Sequence, residues 1–198
     1  MRRRLRYSTV ISAEDRPAGQ GLAGMRFSIG SKKLAGQGDS VTNEIQIRLC
    51  VDGDLTALEA AEPPGAGIAR TLLGRQAAGT IVYAAAWREH QPVGSVVLDL
   101  VSDYAPELKH LFVRESARGA GVGAALCAWT ESYAAQVGFD KLYLSVGIKN
   151  DGARRLYGRL GFAPTGQATT TTYQYADDAG QKQWATETDD VFEKSLSG

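Results

Sequence analysis

Cysteine, histidine and long apolar runs are all scarce in this chain of 198 residues. The two cysteines, Cys50 and Cys127, can form at most one bridge, which excludes a disulfide-stapled scaffold. Together with the two histidines, His90 and His110, they are too few and too scattered for a structural zinc site, so no metal is expected. No uncharged apolar stretch nears the roughly 20 residues of a membrane span. The segment from Gln76 to Trp87, closed at both ends by arginine, is too short. Net charge is lacking too, with 22 basic side chains against 22 acidic ones. Membrane protein, collagenous chain and disulfide mini-protein are thereby set aside, leaving the expectation of a soluble protein of the reducing cytoplasm. Glycine is the one abundance: 23 residues of 198, against a usual level of roughly 7%. Some of these glycines must serve turns and close backbone contacts.

The zero net charge hides an asymmetry. Residues 1–43 carry eight basic and three acidic side chains, whereas 44–198 carry 14 and 19. The leading segment has no sustained periodicity and is dotted with Gly, Ser, Pro and Gln, so it reads as a basic, poorly ordered extension. Its short apolar stretch Tyr7–Ser12 runs at once into Glu14 and Asp15, which disfavours both a signal peptide and a transit peptide. The run Arg2-Arg3-Arg4-Leu5-Arg6 would attract phosphate, but five residues are thin support for a nucleic-acid partner.

Residues 44–198 alternate between strand and helix patterns and read as one domain. Glu44–Cys50 alternates polar and apolar, as a half-buried strand does. Asp52-Gly53-Asp54 supplies a turn and cap before a helix over Leu55–Ala61, and Pro63-Pro64-Gly65 separates that helix from another at Ile68–Leu73. Thr80–Trp87 and Val93–Leu98 form a hairpin, and Glu107–Val113 is the next strand. Val122, Leu126, Trp129, Tyr133 and Val137 draw one helical stripe, ended by Gly138. Leu142, Leu144 and Val146 alternate as a strand, and Ala153, Leu156, Tyr157 and Leu160 mark another helix. Thr169–Ala176 and Asp190–Leu196 close the chain as strands either side of Asp177-Asp178-Ala179-Gly180. The order β-α-α-β-β-β-α-β-α-β-β predicts an α/β fold, a mixed sheet with helices packed on it.

The chemical signal is the junction Leu111–Ala124, where a strand feeds a turn with glycines at 119, 121 and 123 and the turn opens a helix. Missing side chains let backbone N–H groups approach an anion closely. The first helical turn adds unpaired donors and a positive dipole end. A pyrophosphate suits such a place, and Arg118 adds a fixed charge. The Lys-Ser/Thr ending of a nucleoside-triphosphate loop is absent, and the glycine spacing departs from the dinucleotide fingerprint. By itself the junction could equally be a tight turn needing positive φ.

Two segments together carry more. Leu111–Gly123 resembles the acetyl-CoA motif V-x(n)-R-G-x-G-x-G of the GNAT superfamily of acetyl-CoA-dependent N-acetyltransferases. Asn150–Phe162 resembles the N-x-x-A-x-x-L-Y-x-x-x-G-F segment of the same superfamily, in the expected order. The resemblance covers residues 44–196 and implies a mixed, mostly antiparallel sheet with two splayed parallel central strands. Acetyl-CoA is the implied co-substrate. Its pantetheine arm would thread the splay beside Leu111, Phe112 and Val113. Its pyrophosphate would rest on the amides of Arg118, Gly119, Ala120, Gly121, Val122, Gly123 and Ala124. Asn150 would bond the pantetheine side, and Tyr157 would lie near the thioester sulfur. Each has a plainer reading as well: Asn150 suits a helix N-cap and Tyr157 a core aromatic.

The implied reaction moves acetyl directly to a primary amine, on a small molecule or a protein amino group. The alternative is a module that binds acyl-CoA without catalysis. An amine of pKa near 10 must lose a proton before attack, and a departing thiolate of pKa about 8.5 gains from an acid. Tyr157 is the candidate acid. Glu107 is the leading candidate base: it opens the strand six residues before Val113, where the resemblance implies a water-mediating glutamate in some family members, and alternation puts it on the side of Lys109, Leu111 and Val113; an exposed strand-end carboxylate is its plainer reading. His110 titrates in the right range but falls on the opposite face, and Ser145 is a weaker choice. An acidic rim of Asp52, Asp54, Glu59, Glu62, Asp99, Asp103, Asp177, Asp178, Glu187, Asp189 and Asp190, with Tyr104, Tyr173, Tyr175 and Trp184, would favour a cationic acceptor; solvated loop carboxylates that only keep the protein soluble are the plainer reading. A homodimer is compatible with the sequence.

Overall fold

The computed structural model describes residues 45–62, 66–176 and 182–196. The basic segment 1–43, the Pro63-Pro64-Gly65 break and the turn at 177–180 lie outside the described residues. In chain order the elements are β1 (Ile45–Leu49), a 3-10 turn (Asp52–Asp54), α1 (Leu55–Glu59), α2 (Ile68–Ala77), β2 (Ile81–Arg88), β3 (Gln91–Asp99) and β4 (Glu107–Val113). A second 3-10 turn (Glu115–Ala117) then leads into α3 (Val122–Gln136), β5 (Lys141–Gly147), α4 (Asp151–Arg159), β6 (Ala163–Ala176) and β7 (Lys182–Ser195). The strands belong to a seven-stranded mixed sheet, mostly antiparallel with one parallel pair, and helices flank it.

The described residues fall into two compact units, one reaching to Leu142 with the last residues from Ser195, the other spanning Tyr143–Lys194. In the first unit the strand order is β1-β2-β3-β4, each pair antiparallel. β2 is buried from Ile81 to Trp87, so both its faces are covered. One face packs Ile81, Tyr83, Ala85 and Trp87 against Leu58 of α1 and Leu72 and Leu73 of α2. The side chain of Gln76 fastens α2 to the sheet: its Nε2 donates to the Cys50 carbonyl and its Oε1 accepts from the Tyr83 amide, both at 2.7 Å. These bonds satisfy two backbone groups where β1 has already ended.

On α3 the stripe read from the sequence is buried at Val122, Leu126, Trp129 and Tyr133, with Trp129 and Tyr133 stacked 5.3 Å apart. This helix reaches the sheet where β3 has no side chain. A Cβ on Gly94 would lie 2.8 Å from the Phe112 carbonyl and about as near to Leu126 and Val122, at 3.1 Å and 3.2 Å. Only glycine lets helix and strands close to that distance.

In the second unit β7 and β6 form an antiparallel ribbon longer than the sequence pattern predicts, with β5 preceding them in the order β5-β7-β6. The expected strands began at Thr169 and Asp190; the observed ones begin at Ala163 and Lys182. For β7 polar pairs explain the difference, because Thr188 faces Thr170 and Thr186 faces Thr172, with hydroxyls 3.4 Å and 3.0 Å apart; the added start of β6 pairs Ala163 with Glu193 and Pro164 with Phe192 before the register shifts ahead of Ala168. Such cross-strand threonine pairs extend a ribbon without any apolar alternation to reveal it. Among the described residues no helix is long and apolar enough to cross a membrane.

Candidate active site

The last residues of β4 and the first of α3 build the feature that the sequence singled out. After Val113 the chain turns through Glu115–Ala117, where the amides of Ala117 and Arg118 donate to the carbonyls of Arg114 and Glu115. Gly119 and Gly121 follow with φ of 78° and 81°, in the left-handed region that a side chain would strain. Gly121 is the N-cap of α3, and the Ala125 amide donates to its carbonyl at 3.0 Å. The amides of Val122, Gly123 and Ala124 therefore belong to the first turn, which has no carbonyl of its own helix to meet. No atom lies within 4 Å of the place where a Cβ on Gly119 or Gly121 would sit, and both residues are exposed. The result is a bare, amide-lined surface at the positive end of a 15-residue helix. Arg118 is exposed beside it, and its Nε donates to the Val113 carbonyl at 3.2 Å, so the guanidinium is held against the end of β4. This donor set fits a pyrophosphate.

Upstream, β4 is not a regular strand. Asp99 and Gly94 of β3 pair with Glu107 and Val113, but the register shifts between Ser95 and Val97, where His110 and Leu111 share one partner position. His110 takes φ of 50°. This is a β-bulge, and strand parity counted from Glu107 does not carry across it. Leu111, Phe112 and Val113 beyond the bulge are each half-buried.

Glu107 is no exposed strand-end carboxylate: it is only 4% exposed. Its Oε2 lies 2.9 Å from Lys109 Nζ, which also lies 3.6 Å from Asp99 Oδ2. Arg75 of α2 reaches the same Asp99 oxygen at 3.2 Å, so two buried carboxylates and two cations form one network. The His110 side chain reaches solvent, yet its pKa lies below the ordinary histidine value. Shielding from water is the largest cause, followed by the charges of Lys109 and Arg75; Asp99 opposes them. Sequence reasoning missed this network and the bulge. Alternating Glu107 and Lys109 hinted at an ion pair, but no residue pattern signals that β4 gains a residue at His110.

The second unit holds the other two candidates. Asn150 is the N-cap of α4, its Oδ1 accepting from the Ala153 amide at 3.2 Å, so its capping role is real. Tyr157 is buried on the same helix, edge-on to Phe162 at 5.9 Å. Ser145 is half-buried on β5.

Much of the expected acidic rim is already partnered. Asp54 is bonded by both arms of Arg48, at 2.6 Å and 2.7 Å. Burial alone would raise its pKa, but the bonds from Arg48 and the Val51 amide hold it below the usual carboxylate range. Glu59 pairs with Arg70, Glu62 accepts from the first amides of α2, and Asp190 pairs with Arg154. Asp177 and Asp178 lie outside the described residues. Of the aromatic members, Trp184 is exposed.

Residues 54–162 match the Acetyltransferase (GNAT) family, and that span exceeds half of the sequence. The chain belongs to this family. The structure is similar to an N-acetyltransferase from Staphylococcus aureus Mu50, with a TM-score of 0.59 and 16% identity over 78% of this chain and 99% of the other. The ribosomal-protein-S18-alanine N-acetyltransferase from Escherichia coli gives 0.57 and 21% over 78% and 95%. An aminoglycoside 6'-N-acetyltransferase complexed with coenzyme A gives 0.55 and 16% over 77% and 97%. At these identities the structural likeness shows a shared fold. No curated protein sequence matches the chain.

Proposed function

We propose that this GNAT acetyltransferase moves an acetyl group from acetyl-CoA to a primary amine by direct attack, with both substrates bound at once. The observation that carries the reading is the bare amide surface at Gly119–Ala124, which suits a pyrophosphate and leaves the helix dipole facing it. Acetyl-CoA would be held there by the amides of Gly119, Ala120, Gly121, Val122, Gly123 and Ala124, and along the backbone of Leu111, Phe112 and Val113; the Arg118 amide expected among these donors is bonded to the Glu115 carbonyl, so Arg118 would contribute through its guanidinium instead. The Asn150 side chain would add a contact through its amide NH2, since its oxygen serves the cap. When bound, acetyl-CoA supplies the activated thioester.

The chain's own residues then have three tasks. They hold the acceptor nitrogen close to the carbonyl, which turns a bimolecular reaction into an effectively unimolecular one. A group on β4, Glu107 or His110, takes a proton from the acceptor ammonium. Tyr157 gives its hydroxyl proton to the departing thiolate. A covalent acyl-cysteine route has little support. Cys50 is fully buried, and burial, with Asp54 nearby, pushes its thiol far above the ordinary range; Cys127 is buried too.

The acceptor is proposed to be a small-molecule amine, the class named for the aminoglycoside enzyme, rather than the ribosomal-protein alanine named for the other. The test is release of coenzyme A from acetyl-CoA in the presence of spermidine, kanamycin, benzylamine and an alanine-initiated peptide. Turnover with at least one small amine is expected. Tight binding of acetyl-CoA with no turnover on any of the four would indicate a binding module instead.

A further inference from the structure

We propose that His110, presented by the β4 bulge, is the base that takes the proton from the acceptor ammonium. The inference rests on the acetyl-transfer reading above and names one of its residues. Three observations converge on it. First, the backbone at His110 is held at φ of 50°, a conformation that a non-glycine residue adopts at a cost of about 1 kcal/mol or more. The bulge that imposes it re-aims the side chain and sits three residues from Val113, where the strand meets the amide-lined turn. Second, the competing carboxylate is shut in. Glu107 is 4% exposed and bonded to Lys109, whereas the His110 side chain reaches solvent, where an acceptor arrives.

Third, the charges around His110 favour the neutral ring. On its own strand these are Lys109 and Glu107; β3 contributes Asp99 and α2 contributes Arg75. α3, which also packs on β4, carries Glu131 as its one charged residue. The four ion-paired groups balance one another, so a proton on His110 would be surplus positive charge beside Lys109 and Arg75. The imidazole is therefore unprotonated at neutral pH and able to accept a proton.

The proton account closes. His110 takes one proton from the ammonium and passes it to water. The freed nitrogen bonds to the carbonyl carbon as the carbon–sulfur bond breaks. The thiolate receives the Tyr157 proton, and the second proton lost by the nitrogen restores Tyr157.

The test uses His110→Gly, because glycine accepts φ of 50° without strain and so keeps the bulge while removing the ring. Wild type and variant are compared with acetyl-CoA and the best acceptor of the four amines, following kcat/KM against pH. In parallel, the His110 ring is titrated by NMR in the wild-type protein. Expected are an acid limb in the wild-type profile, below pH ~6.5, that coincides with the NMR midpoint. In the variant, a fall of about 10²-fold or more at pH 7 and partial rescue by added imidazole are expected. Unchanged kcat/KM in the variant, or an acid limb that survives there, would overturn the role of His110 while leaving acetyl transfer standing. No turnover by the wild type on any of the four amines overturns the acetyl-transfer reading itself, and the base with it.

Discussion

At the scale of single residues, packing and chemistry pull apart most clearly at Tyr157. Its ring is buried against Phe162, so substitution by a smaller side chain would confuse loss of a proton donor with loss of core. Tyr157→Phe keeps the ring and removes only the hydroxyl. Turnover should fall by about 10²–10⁴ while the melting temperature and acetyl-CoA affinity change little. Wild-type kcat under conditions where chemistry limits the rate would reduce Tyr157 to a core aromatic. The same separation explains what the sequence concealed on β4. Residue types named Glu107 and His110 as titratable candidates, but their merits depend on burial and on backbone parity. One extra residue in the strand reverses the geometric argument, and the Lys109 pair changes the electrostatic one. Neither is visible in a linear spacing.

At the scale of elements, the strands and helices of the first unit were legible because each buries a face, and burial writes periodicity. The helix over Val122–Gln136 and the strand over Glu107–Val113 were read within a residue. β7 is longer than its pattern predicts because threonine pairs, rather than apolar alternation, hold its first half, and β6 is longer because its start at Ala163–Ala168 pairs across a register shift that breaks the alternation. Contacts between elements were the less legible part. Gly94 looked like any strand glycine, yet it sets how closely α3 lies on β3 and β4. Gly94→Ala would drive a methyl against the Phe112 carbonyl, a backbone atom that cannot step aside. The substitution should destabilise the fold by about 1–3 kcal/mol. Since α3 opens at the amide surface, its acetyl-CoA affinity should weaken as well. Denaturant unfolding and calorimetry on the same preparation measure both; an unchanged unfolding midpoint would show that α3 yields without cost.

For the whole molecule, the order of elements and the strand-turn-helix junction were readable because both follow from local chemistry: period, caps and glycines. The acidic rim was not, because counting carboxylates in loops ignores the arginines that fold back onto them, as Arg48 does onto Asp54 and Arg154 onto Asp190. The account stands or falls on acetyl-CoA being held at the Gly119–Ala124 surface. The direct measurement is acetyl-CoA affinity by calorimetry for the wild type, Gly121→Glu and Gly121→Gln. Both substitutions carry the same backbone strain at φ of 81°, about 1–2 kcal/mol, and both side chains enter open space. They differ in charge alone. The account predicts that the glutamate variant loses binding, because its carboxylate repels the pyrophosphate, while the glutamine variant keeps measurable affinity. Equal affinities in the two variants, or binding by Gly121→Glu as tight as wild type, would contradict it.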